Sequence, residues 1–198
     1  FAQATAKPGA AGRTPVILVL GDSLSAEYGL ARGTGWVALL EKQLAQDKLT
    51  ATVVNASVSG ETTSGGRSRL AALLAQHKPS HVVIELGGND ALRGLPLKNT
   101  EENLTWMTQT AQKAGAKVLL VGMQVPPNYG TDYANKFAGL FTSVAQAHKA
   151  AVVPFFLKGG ADGPDPTRLF QPDRIHPRAE AHPQMLANVW PELKKLLR

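Results

Sequence analysis

Val16-Ile17-Leu18-Val19-Leu20 is an unbroken apolar run that leads directly into Gly21-Asp22-Ser23-Leu24-Ser25. A run this short, rich in branched side chains, predicts a β-strand buried on both faces. We expect a helix to begin near Ser23, where the helix dipole would favour negative charge on an exposed serine at the carboxyl end of the strand. The alternative is that Asp22, Ser23 or Ser25 simply caps that helix.

Four more short apolar runs follow along the chain, and each has the length and composition of a buried strand. Between them, apolar residues recur at helical spacing, and a last helix is expected near residues 179–197. This alternation predicts a three-layer α/β/α fold, with a parallel sheet covered by helices and ligands bound at the carboxyl ends of its strands. The predicted strands cover residues 16–20, 52–55, 82–86, 117–122 and 151–155.

The length of 198 residues is that of a single domain, which we place over residues 15–198, after a flexible N-terminal segment of residues 1–14. That segment resembles a mature terminus left by a signal peptide, so we expect a periplasmic or secreted protein. No apolar run approaches the ~18 residues that span a bilayer. The chain has no cysteine, which excludes disulfides and a cysteine nucleophile.

The balance of charge is basic, because 21 Lys and Arg residues face 15 Asp and Glu residues and give a formal net charge of +6. Such an excess can attract anionic substrates, membrane surfaces or nucleic acid. The basic residues are spread along the chain, and the sequence contains no nucleic-acid-binding motif. We therefore expect no nucleic acid partner.

A serine nucleophile needs a base, and His176 is the histidine whose neighbours favour this role. It follows Asp173 by three residues, so a tight turn can bring the carboxylate to one ring nitrogen, and Pro177 is expected in the first turn of the last helix. The alternative is that Asp173 only caps that helix, while Asp162 and Asp165 are more distant candidate partners. The other histidines are interpreted as surface or core residues: His77, His81, His148 and His182.

The ends of the second and third predicted strands carry groups that can stabilise an oxyanion. Asn89 follows the paired glycines Gly87-Gly88, and its amide can donate a hydrogen bond, although a turn or cap role is the alternative. Gly60 can bring its backbone N–H close to a substrate oxygen. The stretch 60–68 also nearly matches a phosphate-binding loop, but Gly66 stands where that motif needs lysine, which disfavours a nucleotide ligand.

Four segments in this order resemble the SGNH/GDSL serine hydrolases: Gly21-Asp22-Ser23-Leu24-Ser25, Gly60, Gly87-Gly88-Asn89-Asp90 and Asp173-Arg174-Ile175-His176-Pro177. The resemblance covers almost everything from Pro15 onward and is strongest to a periplasmic branch of acyl-CoA thioesterases, lysophospholipases and arylesterases. It implies a flavodoxin-like parallel sheet of about five strands. It also implies a hydrolase that needs no metal or organic cofactor.

The resemblance assigns a role to each of these residues. Ser23 would be the nucleophile, His176 the general base and then acid, and Asp173 the residue that orients His176. The oxyanion hole would consist of the backbone N–H groups of Ser23 and Gly60 and the side-chain amide of Asn89. The implied substrates are small acyl esters or thioesters, including aryl esters, acyl-CoA and lysophospholipids from membranes.

Substrate contacts are predicted from position along the chain. Arg93 lies in the segment 92–96, which is expected to move over the site, and Arg174 is expected at the entrance, where it would favour anionic head groups. The alternatives are a carbohydrate O-acetyl esterase of the same family, a metal-dependent hydrolase with Asp173 and His176 as ligands, and a non-catalytic binding module. Some apolar residues could hold an acyl chain or simply pack: Leu24, Leu92, Leu95, Pro126 and Ile175.

Overall fold

Residues 13–160 and 164–198, which the computed structural model describes, form five β-strands and six α-helices. The strands are β1 (Val16–Gly21), β2 (Thr52–Asn55), β3 (His81–Glu85), β4 (Lys117–Val121) and β5 (Ala151–Val153). The helices are α1 (Trp36–Gln46), α2 (Thr63–His77), α3 (Gly88–Leu92), α4 (Leu97–Lys113), α5 (Thr131–Ala147) and α6 (His182–Leu196). Short 3-10 helices cover Pro127–Tyr129, Pro166–Leu169 and Ala179–Ala181.

The strands are parallel and lie in the order β2-β1-β3-β4-β5. β1 has a neighbour on each side, so that Val19 pairs with Asn55 of β2 and with Val83 of β3. The prediction of a flavodoxin-like α/β fold is confirmed. Because parallel strands end at a common edge, the loops that follow β1, β2 and β3 lie side by side.

Alternate residues of each strand face opposite sides of the sheet, and this period of two divides the core into two layers. On β1, Leu18 and Leu20 pack in the layer of α2, α4 and α5, whereas Ile17 and Val19 pack in the layer of α1 and α6. All four side chains are fully buried. Burial of such a side chain stabilises a fold by about 1.5–3 kcal/mol. The carboxyl end of β1 is therefore a rigid support for the residues that follow it.

The segment after β1 differs from its prediction. The described chain makes turns over residues 23–29 and enters its first α-helix only at Trp36. The prediction that a helix begins near Ser23, and that its dipole favours negative charge there, is therefore wrong. The loop is held instead by its own hydrogen bonds. A carboxylate oxygen of Glu27 accepts from the backbone N–H groups of Gly33 and Gly35, at 2.8 Å in each case.

The last helix begins later than predicted. Pro177 lies in an extended antiparallel pair with Phe170, and the chain then makes the 3-10 turn at Ala179–Ala181 before α6 starts at His182. Pro177 is therefore not in the first turn of the last helix. Asp173 precedes α6 by too many residues to cap it, so that alternative is wrong as well.

Two predicted features fall outside the described residues. They are residues 1–12 of the N-terminal segment and Asp162 in the loop before Asp173. Export from the cytoplasm stays a prediction. Among the helices that the structure describes, none has the length and apolar character needed to cross a membrane.

Candidate active site

Ser23 lies in a tight turn directly beyond β1. The backbone oxygen of Asp22 accepts from the N–H groups of Ser25 and Ala26, at 3.1 and 3.0 Å. A side-chain oxygen of Asp22 accepts from the N–H of Leu24 at 3.0 Å. Asp22 thus stabilises a turn rather than a helix end. The Ser23 side chain is only partly buried and is not used to build this turn.

Asp173 and His176 form a second turn in the loop before α6. One carboxylate oxygen of Asp173 accepts from the backbone N–H groups of Ile175 and His176, at 2.9 and 3.0 Å. The other oxygen lies 2.5 Å from Nδ1 of His176. Arg174 completes the turn with a φ of +60°, in the left-handed region. These hydrogen bonds lower the pKa of Asp173 to about 2, and the bond from the His176 N–H has the largest effect.

The two turns meet although they are far apart in the sequence. The Nε2 atom of His176 lies 3.0 Å from the Ser23 hydroxyl oxygen, across a separation of 153 residues. Gln171 fastens the loop in place, because its side-chain amide donates to the carbonyl oxygens of Tyr28 and Pro177 at 2.9 and 3.0 Å. Its backbone N–H also donates to the carbonyl oxygen of His176 at 2.7 Å. Ser23, His176 and Asp173 are therefore brought together.

Asn89 and Gly60 lie at the same edge of the sheet. Asn89 is in the first turn of α3, and its amide donates to the carbonyl oxygen of Glu61 at 3.0 Å and reaches Asp22 at 3.5 Å. Gly60 adopts a φ of +80°, which glycine tolerates and other residues rarely do. Arg93 donates to its carbonyl oxygen at 3.2 Å. Asn89 thus connects the turn that carries Ser23 with the loop that carries Gly60.

The sequence that builds these loops is similar to known proteins. Residues 19–183 match the GDSL-like lipase/acylhydrolase family. The chain belongs to this family. It is 52% identical over 183 residues to Esterase TesA of Pseudomonas aeruginosa, across 91% of this chain and 89% of that protein. It is 40% identical over 173 residues to Thioesterase 1/protease 1/lysophospholipase L1 of Escherichia coli, across 87% of this chain and 80% of that protein.

A solved structure of a GDSL-type relative agrees with this assignment. The psychrotrophic esterase EstA from Pseudoalteromonas sp., inhibited by monoethylphosphonate, has a TM-score of 0.85 and 41% sequence identity, across 92% of this chain and 98% of that one. The predicted function class is confirmed by these relatives: this GDSL hydrolase is an esterase or thioesterase. The interpretation as a non-catalytic binding module is therefore wrong.

A pair of buried carboxyl groups lies beneath the GDSL turn, and it was not identified from the sequence. Glu85, at the end of β3, is fully buried, and one of its oxygens accepts from the Ser25 hydroxyl at 2.6 Å. The Trp36 indole donates to the same hydroxyl at 3.0 Å. The backbone N–H of Asp22 lies 3.4 Å from that Glu85 oxygen.

The environment of this pair explains its ionisation. Burial raises the pKa of Asp22 to about 6, against the lowering effect of its hydrogen bond with Glu85. Burial, and then the charge of Asp22, raise the pKa of Glu85 well above its usual range. Among the described residues, no lysine or arginine forms an ion pair with either group. Two neighbouring carboxyl groups that are buried without a cation disfavour a second negative charge, so at neutral pH they hold one proton between them.

Asp90, next to Asn89, is a third buried carboxyl group in this GDSL hydrolase. It accepts from the backbone N–H of Thr63 at 2.8 Å and from the hydroxyls of Thr63 and Thr100, at 2.5 and 2.8 Å. These bonds join α3 to the start of α2 and of α4. Asn89 is therefore held in a fixed position by its neighbour.

The near match to a phosphate-binding loop does not form such a loop. Gly65 and Gly66 lie inside α2, which begins at Thr63 with Thr62 as its N-cap. A side chain on Gly66 would collide with Leu86, so this glycine serves close packing between α2 and the sheet. The interpretation as a nucleotide-phosphate site is wrong.

The histidines outside the site pack as expected. His182 is buried, its Nδ1 accepts from the Trp36 N–H at 2.9 Å, and burial lowers its pKa to about 4. His81 is buried beside the carbonyl oxygen of Leu196. Within residues 13–160 and 164–198, no group of three or more His, Asp and Glu side chains is placed to hold a metal ion. The metal-dependent alternative thus has no further ligand in the described part of the chain.

The residues predicted to contact substrate have different surroundings. Leu24 is buried in the α1 and α6 layer of the core. Leu92 and Ile175 are 45% and 51% exposed, on the loops of Asn89 and His176. The remaining members of the set lie near the surface at the same edge: Arg93, Leu95, Pro126 and Arg174.

Proposed function

We propose that this hydrolase cleaves acyl esters and thioesters through an acyl-enzyme on Ser23, with His176 as the base and Asp173 as its partner. One observation carries the proposal, namely the 3.0 Å separation between Nε2 of His176 and the Ser23 hydroxyl oxygen. Transfer of the serine proton to an imidazole requires a hydrogen bond of this length. The contact between Nδ1 and Asp173 supplies the orientation that the base needs.

Asp173 keeps the imidazole in its productive tautomer. When Nδ1–H donates to the carboxylate, the lone pair of Nε2 faces Ser23. The pKa of Asp173, lowered to about 2, keeps this carboxylate ionised at neutral pH. Its negative charge then stabilises the imidazolium that forms when Nε2 takes the serine proton.

The reaction proceeds in two halves. Ser23 attacks the carbonyl carbon, and the tetrahedral intermediate collapses as His176 gives its proton to the departing alcohol or thiol. Water then enters, His176 takes one of its protons, and the hydroxide attacks the acyl group on Ser23. Collapse of the second intermediate returns the proton to Ser23 and releases the carboxylic acid.

The oxyanion of each intermediate would be bound by the N–H groups of Ser23 and Gly60 and by the amide of Asn89. Support comes from the hydrogen bonds that hold these residues, since donors fixed beforehand need no reorganisation when charge develops. Loss of one such donor reduces turnover by about 10²–10³ in other hydrolases.

Aryl esters, acyl-CoA and lysophospholipids are the substrates we propose for this site. The Escherichia coli relative is named both a thioesterase and a lysophospholipase. The exposed side chains of Leu92 and Ile175 suit contact with an acyl chain, and the cationic Arg93 and Arg174 nearby suit a phosphate-bearing leaving group.

Hydrolysis of a panel of substrates by Ser23→Ala tests the proposal. The panel contains p-nitrophenyl esters from acetate to palmitate, palmitoyl-CoA and lysophosphatidylcholine. Ser23→Ala is expected to lose activity by about 10⁴ or more on every substrate that the unmodified protein cleaves. Ser143→Ala, at an exposed position on α5, is the matched control and keeps its activity. Turnover by Ser23→Ala close to that of the control contradicts the proposal.

A further inference from the structure

The ring of Tyr28 lies against the imidazole of His176. Their centroids are 4.2 Å apart and their planes are inclined by 36°. Tyr28 belongs to the loop that follows Ser23, whereas His176 belongs to the loop before α6. The Tyr28 ring therefore covers the imidazole from the side of the loop that carries Ser23.

The backbone of Tyr28 holds the ring in this place. Its N–H donates to the carbonyl oxygen of Ser23 at 3.4 Å, and its carbonyl oxygen accepts from the Gln171 amide at 2.9 Å. The same amide donates to Pro177, next to His176. Gln171 thus connects the two loops directly beside the stacked rings.

The Tyr28 hydroxyl takes no part in this arrangement. Within the described part of the chain it has no hydrogen-bond partner, and the side chain is large, apolar and 49% exposed. The ring is therefore placed by the backbone of Tyr28 and not by its hydroxyl. The contact with His176 is what the ring provides.

We propose that Tyr28 is a positioning residue for His176, whose ring keeps the imidazole aimed at Ser23 and stabilises the imidazolium formed during turnover. This inference rests on the proposed role of His176 as the base. The face of an aromatic ring attracts a cation, and at exposed sites the gain is about two- to five-fold in an equilibrium or rate constant. Restricted motion of the imidazole adds to this effect.

Other charged groups also act on the imidazole. Asp173 contacts Nδ1 from within the same loop, and the Asp22 carboxyl acts on it from the end of β1. Both favour the imidazolium by their charge, whereas Tyr28 acts through its π face. Replacement of Tyr28 therefore removes one contribution and leaves the two carboxyl groups in place.

Tyr28→Phe and Tyr28→Leu form a matched pair that tests the inference with p-nitrophenyl acetate, whose short acyl group limits effects on chain binding. Phe keeps the ring, and its kcat is expected within about twofold of the unmodified protein. Leu keeps an apolar cover but no π face, so kcat is expected to fall about five- to ten-fold with KM little changed.

Each contrary result has a distinct meaning. A Leu variant with unchanged kcat, or with a change in KM alone, overturns the role of Tyr28. A Phe variant whose kcat falls as much as that of the Leu variant overturns it as well. Thermal unfolding of both variants distinguishes these outcomes from a loss of folded protein. His176→Asn is measured alongside: activity retained there overturns the proposed mechanism itself, whereas its loss together with a normal Leu variant overturns only the inference about Tyr28.

Discussion

The edge of the sheet holds two carboxylate arrangements with opposite properties. Asp173 and His176 lie three residues apart in one turn near the surface, and the pKa of Asp173 is lowered to about 2. Asp22 and Glu85 lie 63 residues apart, at the ends of two neighbouring strands in the interior, and the pKa of each is raised. Similar side chains at the same edge thus have pKa values shifted in opposite directions.

The groups around each carboxylate account for the difference. Asp173 receives two backbone N–H donors and the imidazole, which stabilise its charge. Glu85 is cut off from water, and its close neighbour Asp22 is itself an acid. Asp173 therefore supplies a fixed negative charge to the site, whereas the protonated Glu85 of the buried pair supplies a neutral hydrogen-bonding support beneath it.

Conversion of the exposed carboxylate to an amide is expected to have the largest effect. In Asp173→Asn the new amide donates to Nδ1, which places the ring proton on Nε2 and removes the acceptor for the serine proton. We expect kcat to fall by about 10³–10⁴ with the fold intact, as measured with p-nitrophenyl acetate and by circular dichroism. Asp165→Asn, in the same loop, is the control and keeps its activity. An unchanged esterase rate in Asp173→Asn would remove this residue from the mechanism.

The same chemical change in the buried pair is expected to be tolerated. Glu85→Gln replaces a protonated acid with a neutral group that still donates and accepts, so activity should stay within about threefold. Glu85→Leu leaves the Ser25 hydroxyl without its acceptor and is expected to cost about 1–3 kcal/mol of unfolding free energy in urea. A Gln variant as damaged as the Leu variant would show that Glu85 works as an anion.

The third prediction concerns stability as a function of pH. The pKa of Asp22 rises from 3.8 to about 6 on folding, so its protonated form favours the native state, and stability is lost as pH increases through this window. This difference in the pKa of Asp22 corresponds to about 3 kcal/mol of unfolding free energy. His182, whose pKa is lowered to about 4, acts in the opposite direction.

The variant Asp22→Asn removes this contribution together with the effect of the Asp22 charge on Glu85, and it leaves His182 in place. Urea unfolding between pH 4 and pH 7 should show the unmodified protein losing up to about 3 kcal/mol relative to the variant. Parallel curves for the two proteins would mean that Asp22 titrates near its ordinary value and that the buried pair does not share a proton.

The difference between the two pairs also explains what could be predicted from sequence. Asp173 and His176 were identifiable because a contact within one turn depends only on local spacing. The strands β1, β3 and β4 were identifiable from apolar runs, because they are buried on both faces. The edge strands β2 and β5 are only partly buried and were identifiable from their β-branched side chains. Residue contacts within a short segment and burial of a whole strand both leave a pattern in the sequence.

Contacts between distant segments leave no such pattern. The contact of Glu85 with the GDSL turn depends on the register of β1 and β3, which pairs Gly21 with Glu85. The signal available in the sequence was Glu85 itself, a charged residue at the end of an apolar strand. The Tyr28 contact depends on how two loops fold, and the helix expected at Ser23 was wrong because Glu27 organises that loop instead.

Covalent labelling tests the central claim most directly. The protein is treated with a p-nitrophenyl alkylphosphonate, digested and examined by mass spectrometry to locate the adduct. We expect one adduct, on Ser23, that is absent in Ser23→Ala and forms more slowly in Asp173→Asn, in proportion to its loss of esterase activity. An adduct on another residue, or a labelling rate that Asp173→Asn leaves unchanged, would contradict the assignment of Ser23, His176 and Asp173 as one catalytic unit.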